Sequence, residues 1–132
     1  MGLLAAIQAL QDTVGAVSGI KKAPDYPPDS INSFPFAVAY PADGTWETYA
    51  GTTKALHTLV VEIHVSRADL PAAVANVISY GDSIPAAILA DTTLGGAIST
   101  FSDITYEFGS LDWGETKTVG FRFRINGVKI LT

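Results

Sequence analysis

The segment Ala55–Arg67, ALHTLVVEIHVSR, constrains the fold of this chain more than any other stretch. Apolar and mostly β-branched residues occupy every second position, namely Leu59, Val61, Ile63 and Val65. The positions between them are mostly polar and comprise Thr58, Val60, Glu62, His64 and Ser66. This alternation predicts a long strand, the central or longest one of a mainly antiparallel sheet. The polar second set predicts that the strand is not buried on both sides.

Length and composition favour a single domain over 1–132 with a core of its own. A chain of 132 residues buries about two-thirds of its unfolded surface, which is enough to fold without covalent cross-links. The sequence has no cysteine, so disulfides and thiolate zinc sites are excluded, as is common in a reducing compartment. The net charge of −5 argues against a protein that binds nucleic acid through its phosphates.

The apolar N-terminal stretch predicts an amphipathic helix of a cytosolic protein. Its apolar residues recur at helical spacing, at Leu3, Ile7, Leu10, Val14 and Val17. Gln8, Gln11 and Asp12 interrupt the stretch, and its basic residues follow it, so neither a secretory signal nor a membrane span is expected.

The remaining chain predicts an α+β domain with an antiparallel sheet of about five strands and helices packed on it. After a proline-rich connector at Lys21–Asn32, we expect a strand at Phe34–Tyr40, a turn at Pro41–Gly44, and a second strand at Thr45–Ala50 before the long third one. A helical region starts near Asp69 and is interrupted at Gly81–Asp82. The last third predicts a hairpin of Ser102–Phe108 and Lys117–Leu131, connected by Gly109–Glu115. The predicted order is α-β-β-β-α-β-β.

No pattern of catalytic or metal-binding residues emerges, so we expect no enzyme, no cofactor and no metal. His57 and His64 are seven residues apart on one strand and therefore point to opposite faces. Glu62 and His64 share a face, which is a partial metal site at best; a solvated or interface-facing polar pair is the more frequent arrangement. The sequence contains neither a nucleophile elbow nor a phosphate-binding glycine loop.

Aromatic and basic residues predict protein contacts instead. Trp46 and Tyr49 lie near the predicted turn, and Trp113 lies in the hairpin connection. Aromatic residues are enriched at interfaces, although each could equally fold back over the domain's own core. Arg67, Arg122 and Arg124 end or project from strands; they predict ion pairs between subunits or, alternatively, a solvated face.

The region from Leu70 to Ile130 resembles the tail terminator, or tail completion, proteins of long-tailed bacteriophages of the lambda type. The segments that carry the resemblance are IPAAILADTTLGG at Ile84–Gly96, ITYEFG at Ile104–Gly109 and LDWGETKTVGFRF at Leu111–Phe123. The N-terminal helix, the Phe34–Tyr40 strand and the long third strand follow the order of that family.

This resemblance implies an α+β virion protein of the tail or neck that is assembled in the host cytoplasm and has no catalytic activity. Its subunits are expected to form a hexameric ring that caps the tail tube, ends polymerisation and provides the surface for head–tail joining. The implied partners are further copies of the chain, the tail tube protein and the head–tail connector protein. DNA only passes through the ring, and no membrane is involved. The alternatives are another neck or tube component, or a small ligand-binding domain with a pocket between helix and sheet.

Overall fold

A four-stranded antiparallel sheet dominates the computed structural model, which describes residues 2–20, 34–49, 52–67, 74–75, 77–114 and 116–130. The elements in chain order are α1 (Leu3–Gly15), β1 (Phe36–Tyr49), β2 (Thr52–Ser66), α2 (Tyr80–Leu89), β3 (Asp103–Trp113) and β4 (Thr116–Ile130). Within the sheet the strands are arranged β1-β2-β4-β3, so β1 and β3 are the edge strands. The predicted connector Lys21–Asn32 lies outside the described residues.

The predicted five-strand sheet with the order α-β-β-β-α-β-β is wrong, because the first two predicted strands form one. β1 continues through the expected turn at Pro41–Gly44 and stays paired with β2 along its whole length. The register shifts between Pro41 and Asp43, where a β-bulge absorbs one extra residue. Proline is tolerated there because β1 is an edge strand, so no further strand has to receive a hydrogen bond from it.

The long strand is confirmed, but it is buried on both sides rather than on one. β2 spans Thr52–Ser66 and lies between β1 and β4. Leu59, Val61 and Ile63 face the core that includes both helices, and we call this side the helix face. Glu62 and His64 on the opposite side, the second face, are only 2% and 0% exposed. The polar alternation therefore does not mark a solvated face.

The helix face carries the main apolar core. The predicted stripe of α1 is confirmed, with Ile7, Leu10 and Val14 buried among the sheet residues. α2 contributes Ile84 and Ile88. The predicted interruption at Gly81–Asp82 is wrong, because the helix runs through both residues and a turn at Ser79 precedes it instead. The predicted helix start near Asp69 lies outside the described residues.

The C-terminal hairpin is confirmed, although its connection is much shorter than predicted. Most of the segment Gly109–Glu115 is strand, because β3 continues to Trp113 and β4 starts at Thr116. Gly109 lies directly opposite Gly120, and Gly120 lies opposite His64 of β2. A Cβ atom on Gly120 would come within 1.7 Å of the carbonyl oxygen of Ile63, so this close approach of β4 to β2 requires glycine.

Candidate functional site: a buried polar network and two exposed edges

A network of polar side chains connects three strands on the second face. Glu62 is its centre: one carboxylate oxygen lies 2.9 Å from Nε2 of His64, and the other accepts from Nε of Arg122 at 3.0 Å. The hydroxyl of Tyr40 donates to that second oxygen as well. Nδ1 of His64 lies 2.5 Å from Oγ1 of Thr118. The register explains the arrangement, because Glu62 lies directly opposite Arg122, and Tyr40 lies on the same face two residues beyond Val38, the partner of Glu62 on β1.

The network keeps the Glu62 carboxylate ionised although the residue is buried. Burial alone would raise the pKa of this carboxyl group, but hydrogen bonds from His64, Tyr40 and Arg122 outweigh it and hold the pKa below its usual range. The same contacts act on the partners. Burial together with the negative charge of Glu62 raises the pKa of Tyr40 to about 12, and the hydrogen bond to Glu62 raises the pKa of Arg122.

Both nitrogens of the His64 ring are engaged, which limits what this histidine can do. An ionised carboxylate only accepts hydrogen bonds, so Nε2 carries a hydrogen and donates it to Glu62. In the neutral ring Nδ1 accepts from the hydroxyl of Thr118; in the charged ring it donates, and the hydroxyl turns to the carbonyl of Leu111 at 3.5 Å. These contacts hold strands together and leave no ring nitrogen directed at an external substrate.

The end of the β3–β4 hairpin covers this network. Trp113, the last residue of β3, packs on Phe36 and Val38 of β1. Its ring centroid is 5.8 Å from that of Tyr40 and 6.1 Å from that of His64. The facing glycines Gly109 and Gly120 leave this part of the second face without side chains, so the hairpin can bend over it. Trp113 therefore joins the two edge strands across the second face.

The helix face ends in an exposed aromatic groove beside β3. The groove has a volume of about 420 Å³ and is lined by Ile78, Gly81, Asp82, Tyr106, Phe108 and Phe121. Tyr106 and Phe108 pack against the ring of Phe121, with centroids 5.6 and 5.0 Å away, yet they are 63% and 43% exposed. Gly81 permits this shape, since a Cβ atom there would lie 2.9 Å from the Phe121 ring.

The opposite edge of the sheet is formed by the second half of β1 and is exposed. We call residues 41–48 the Trp46 arm. Residues 41–46 and 48 are exposed, and Trp46 is the one large apolar side chain among them, at 61% exposure. Its ring lies nearly perpendicular to the His57 ring, and the two ring centroids are 5.8 Å apart. Trp46 lies opposite Ala55, which in turn lies opposite Ile130 of the main core, so Trp46 projects on the helix face.

The structure places the other predicted contact residues as follows. Arg122 is held by Glu62, whereas Arg124 lies 3.8 Å from Glu107 on an exposed part of the second face. Arg67 is exposed after the end of β2. Tyr49 is the last residue of β1, and its side chain lies outside the described residues.

The sequence did not indicate that Tyr106, Phe108 and Ile78 would be exposed and line a groove. Ile104, Tyr106 and Phe108 alternate along the predicted strand Ser102–Phe108, and they share one face, opposite Ile125, Phe123 and Phe121. The position of β3 at the sheet edge, beyond the cover of the helices, exposes two of them. No signal in the local pattern distinguishes an edge strand from a central one.

Comparison with known proteins gives no family. Neither the models of protein families nor the curated proteins give a match to this chain. Among the residues that the structure describes, no helix is long and apolar enough to cross a membrane. The described residues also contain no group of three or more histidine and carboxylate side chains placed to hold a metal ion.

Proposed function

We propose that this protein is a non-enzymatic structural subunit of a phage tail, which forms a ring on the end of the tail tube. The ring ends tube polymerisation and offers its other side to the head. The observation that supports this proposal most is the pair of different edges, the Trp46 arm and the aromatic groove. Among the described residues β1 pairs only with β2, and β3 only with β4. Two unlike patches on one subunit are what a head-to-tail ring needs.

The polar network is consistent with a scaffold rather than a reaction site. Its charged groups are satisfied by one another and fix the relative positions of β1, β2 and β4. A subunit that must keep its shape while it contacts several neighbours benefits from such a rigid centre.

The partners that we propose are those implied by the resemblance to tail terminators. Further copies of the chain complete the ring, which we take to be a hexamer, and the tail tube protein and the head–tail connector protein bind its two sides. Arg67, Arg122, Arg124 and Tyr49 are candidates for these contacts, together with the aromatic residues Trp46 and Trp113. The net charge of −5 suits a lumen through which DNA passes without binding. The site of action is the tail or neck of the virion.

Deletion of the gene from the phage that encodes it tests this function directly. We expect tails of abnormal length that lack heads, seen by negative-stain electron microscopy, and rescue by a plasmid copy of the wild-type gene. Tails of normal length that still lack heads would instead place the protein elsewhere in the neck. Normal, fully joined particles would contradict the proposal.

The volume of the groove favours one second candidate, a small ligand-binding domain. About 420 Å³ falls within the range of roughly 300–1,000 Å³ that is typical of ligand pockets. Thermal unfolding with a set of small aromatic compounds tests it: a saturable rise of the midpoint in the wild type that is lost in Tyr106→Ser would favour this candidate.

A further inference from the structure

We propose that the aromatic groove beside β3 is the binding site for Trp46 of a second copy of this chain. This inference rests on the proposed ring function and names the contact that would build the ring. It follows from the faces on which the exposed aromatic side chains lie, the chemistry of the groove, and the area that the contact can bury.

The first observation is that both edges present their aromatic side chains on the same face of the sheet. Tyr106 and Phe108 pair with Phe123 and Phe121, which belong to the core of the helix face. Trp46 projects on that face as well, through its pairing with Ala55. If the arm of one copy is placed alongside the β3 edge of another to continue the sheet, Trp46 therefore comes to the side that contains the groove. If Trp46 projected on the second face instead, it would point away from the groove in such a continued sheet.

The second observation is the match between the arm and the groove. Alternate positions of the arm on that face are Gly44, Trp46 and Thr48, so one large anchor stands between small neighbours. The groove is aromatic and contains one carboxylate, that of Asp82. An indole has a large apolar surface and a single N–H group that can only donate, and a carboxylate is its natural acceptor. The arm cannot reach the groove of its own chain as an added strand, because two strands separate the edges.

The third observation concerns area. A Trp and two partly exposed aromatic residues bury at most on the order of 500 Å² summed over both partners, whereas a stable interface buries about 1,600 Å² in total. Two copies should therefore associate weakly and reversibly. A closed ring, in which every copy uses both its arm and its groove, gains stability from the closure itself.

The absence of cysteine makes a specific cross-linking test possible. Thr48→Cys, which keeps Trp46, and Ile78→Cys, which keeps the aromatic residues of the groove, are prepared as separate proteins, mixed at high concentration and oxidised. The mixture should yield about tenfold more mixed dimer than Thr48→Cys combined with Leu4→Cys, since a disulfide needs Cβ atoms within roughly 4.5 Å. Leu4 is a matched control, because it is 54% exposed and lies outside the groove. Equal yields in the two mixtures, or no mixed dimer in either, would overturn the proposal.

A second measurement needs no new cysteine. Sedimentation equilibrium of the wild type, Trp46→Ala, Tyr106→Ala and the double variant gives dissociation constants for self-association. Each single variant should weaken association at least tenfold, and the double variant no more than either single one, because both remove the same contact. Unchanged association in Trp46→Ala, or a wild type that stays monomeric throughout, counts against the pairing.

These results can be separated from those on the function. If the phage that carries Trp46→Ala still makes tails of normal length, the Trp46 contact is excluded but the terminator function is not. If the cross-link forms specifically but deletion of the gene leaves the tails unchanged, the contact is supported and the terminator function is excluded.

Discussion

The two faces of the sheet are both closed to solvent around β2, but they are closed by different chemistry. On the helix face, Leu59, Val61 and Ile63 are buried among other apolar side chains, and no partner has to be in an exact place. On the second face, Glu62 and His64 are buried just as deeply and depend on donors at defined distances. A substitution in an apolar core destabilises the folded protein in proportion to the apolar area that it removes. A substitution that removes one partner of a buried charge leaves that charge unpaired, so the loss of a single group is already strongly destabilising.

The largest effect is expected for Gly120→Ala, which tests whether the close approach of β4 to β2 is needed for the second face. The new Cβ would lie within 1.7 Å of the backbone of Ile63, which cannot move without breaking the strand pairing. We expect a loss of more than about 3 kcal/mol in the free energy of unfolding, measured by urea denaturation. Gly2→Ala at the N-cap of α1, where no atom lies within 4 Å, should change it by no more than about 1 kcal/mol. Equal stability of the two variants would show that β4 does not approach β2 in this way.

Glu62→Gln tests the buried charge on the second face. It should lower the free energy of unfolding by about 3 kcal/mol at neutral pH, because Arg122 and His64 lose a buried negative partner. The folded pKa of Glu62 is depressed, so its contribution is present above the ordinary glutamate pKa of about 4.3 and is lost as the pH falls through the folded pKa. The difference between wild type and variant should therefore shrink in acid.

Leu59→Ala is the matched change on the helix face. It should lower the free energy of unfolding by about 2–5 kcal/mol. This difference from the wild type should be the same at neutral and acidic pH, because the substitution removes only apolar contacts. Urea denaturation at both pH values gives the two comparisons. If the Glu62→Gln difference stays constant with pH as well, the carboxylate is not held ionised by the network.

Tyr40→Phe should have a smaller effect of about 1.5 kcal/mol, because it removes one hydrogen bond to a charged group and leaves the ring in place. The phenol of Tyr40 has its pKa raised to about 12, so it favours the folded state below the ordinary tyrosine pKa and loses this contribution as the pH rises through 12. Ultraviolet titration should show that the variant lacks the latest-ionising tyrosine. If the variant instead loses amplitude from the main transition at about pH 10, Tyr40 ionises with the exposed tyrosines.

Glu107→Gln should have the smallest effect, within about 1 kcal/mol, because its pair with Arg124 is exposed and spans 3.8 Å. The same carboxylate-to-amide change is thus made on one face at a buried and at an exposed ion pair. Chemical denaturation in low and high salt is the measurement. If Glu107→Gln destabilises the protein as much as Glu62→Gln does, burial does not explain why the Glu62 ion pairs are important for stability.

The sequence predicted much of the local structure. The stripe of α1, the long strand β2 and the C-terminal hairpin were recognised from their periodicity. The predicted turn at Pro41–Gly44 was wrong, because proline and glycine at a bulge of an edge strand look the same in the sequence as in a turn. The predicted connection at Gly109–Glu115 was too long for a similar reason: Gly109 lies within β3, opposite Gly120, and only the second glycine, Gly114, lies in the turn.

The candidate site was predicted in part. Trp46 stood out from its position in the sequence, and it is exposed at an edge. The groove that we propose as its partner could not be derived, since it forms only where the edge strand β3 lies beside Gly81 and Asp82 at the start of α2.

The amino-acid sequence alone determined which side of β2 carries its apolar residues and which its polar ones, since alternation along an extended chain is a local property. The tertiary structure decided which of those sides are buried. Glu62 and His64 became core residues only when Tyr40, Thr118 and Arg122 arrived from neighbouring strands and Trp113 folded over them. Charges can leave water when several distant parts of the chain supply their hydrogen bonds together, and a pattern read along one strand does not contain that information.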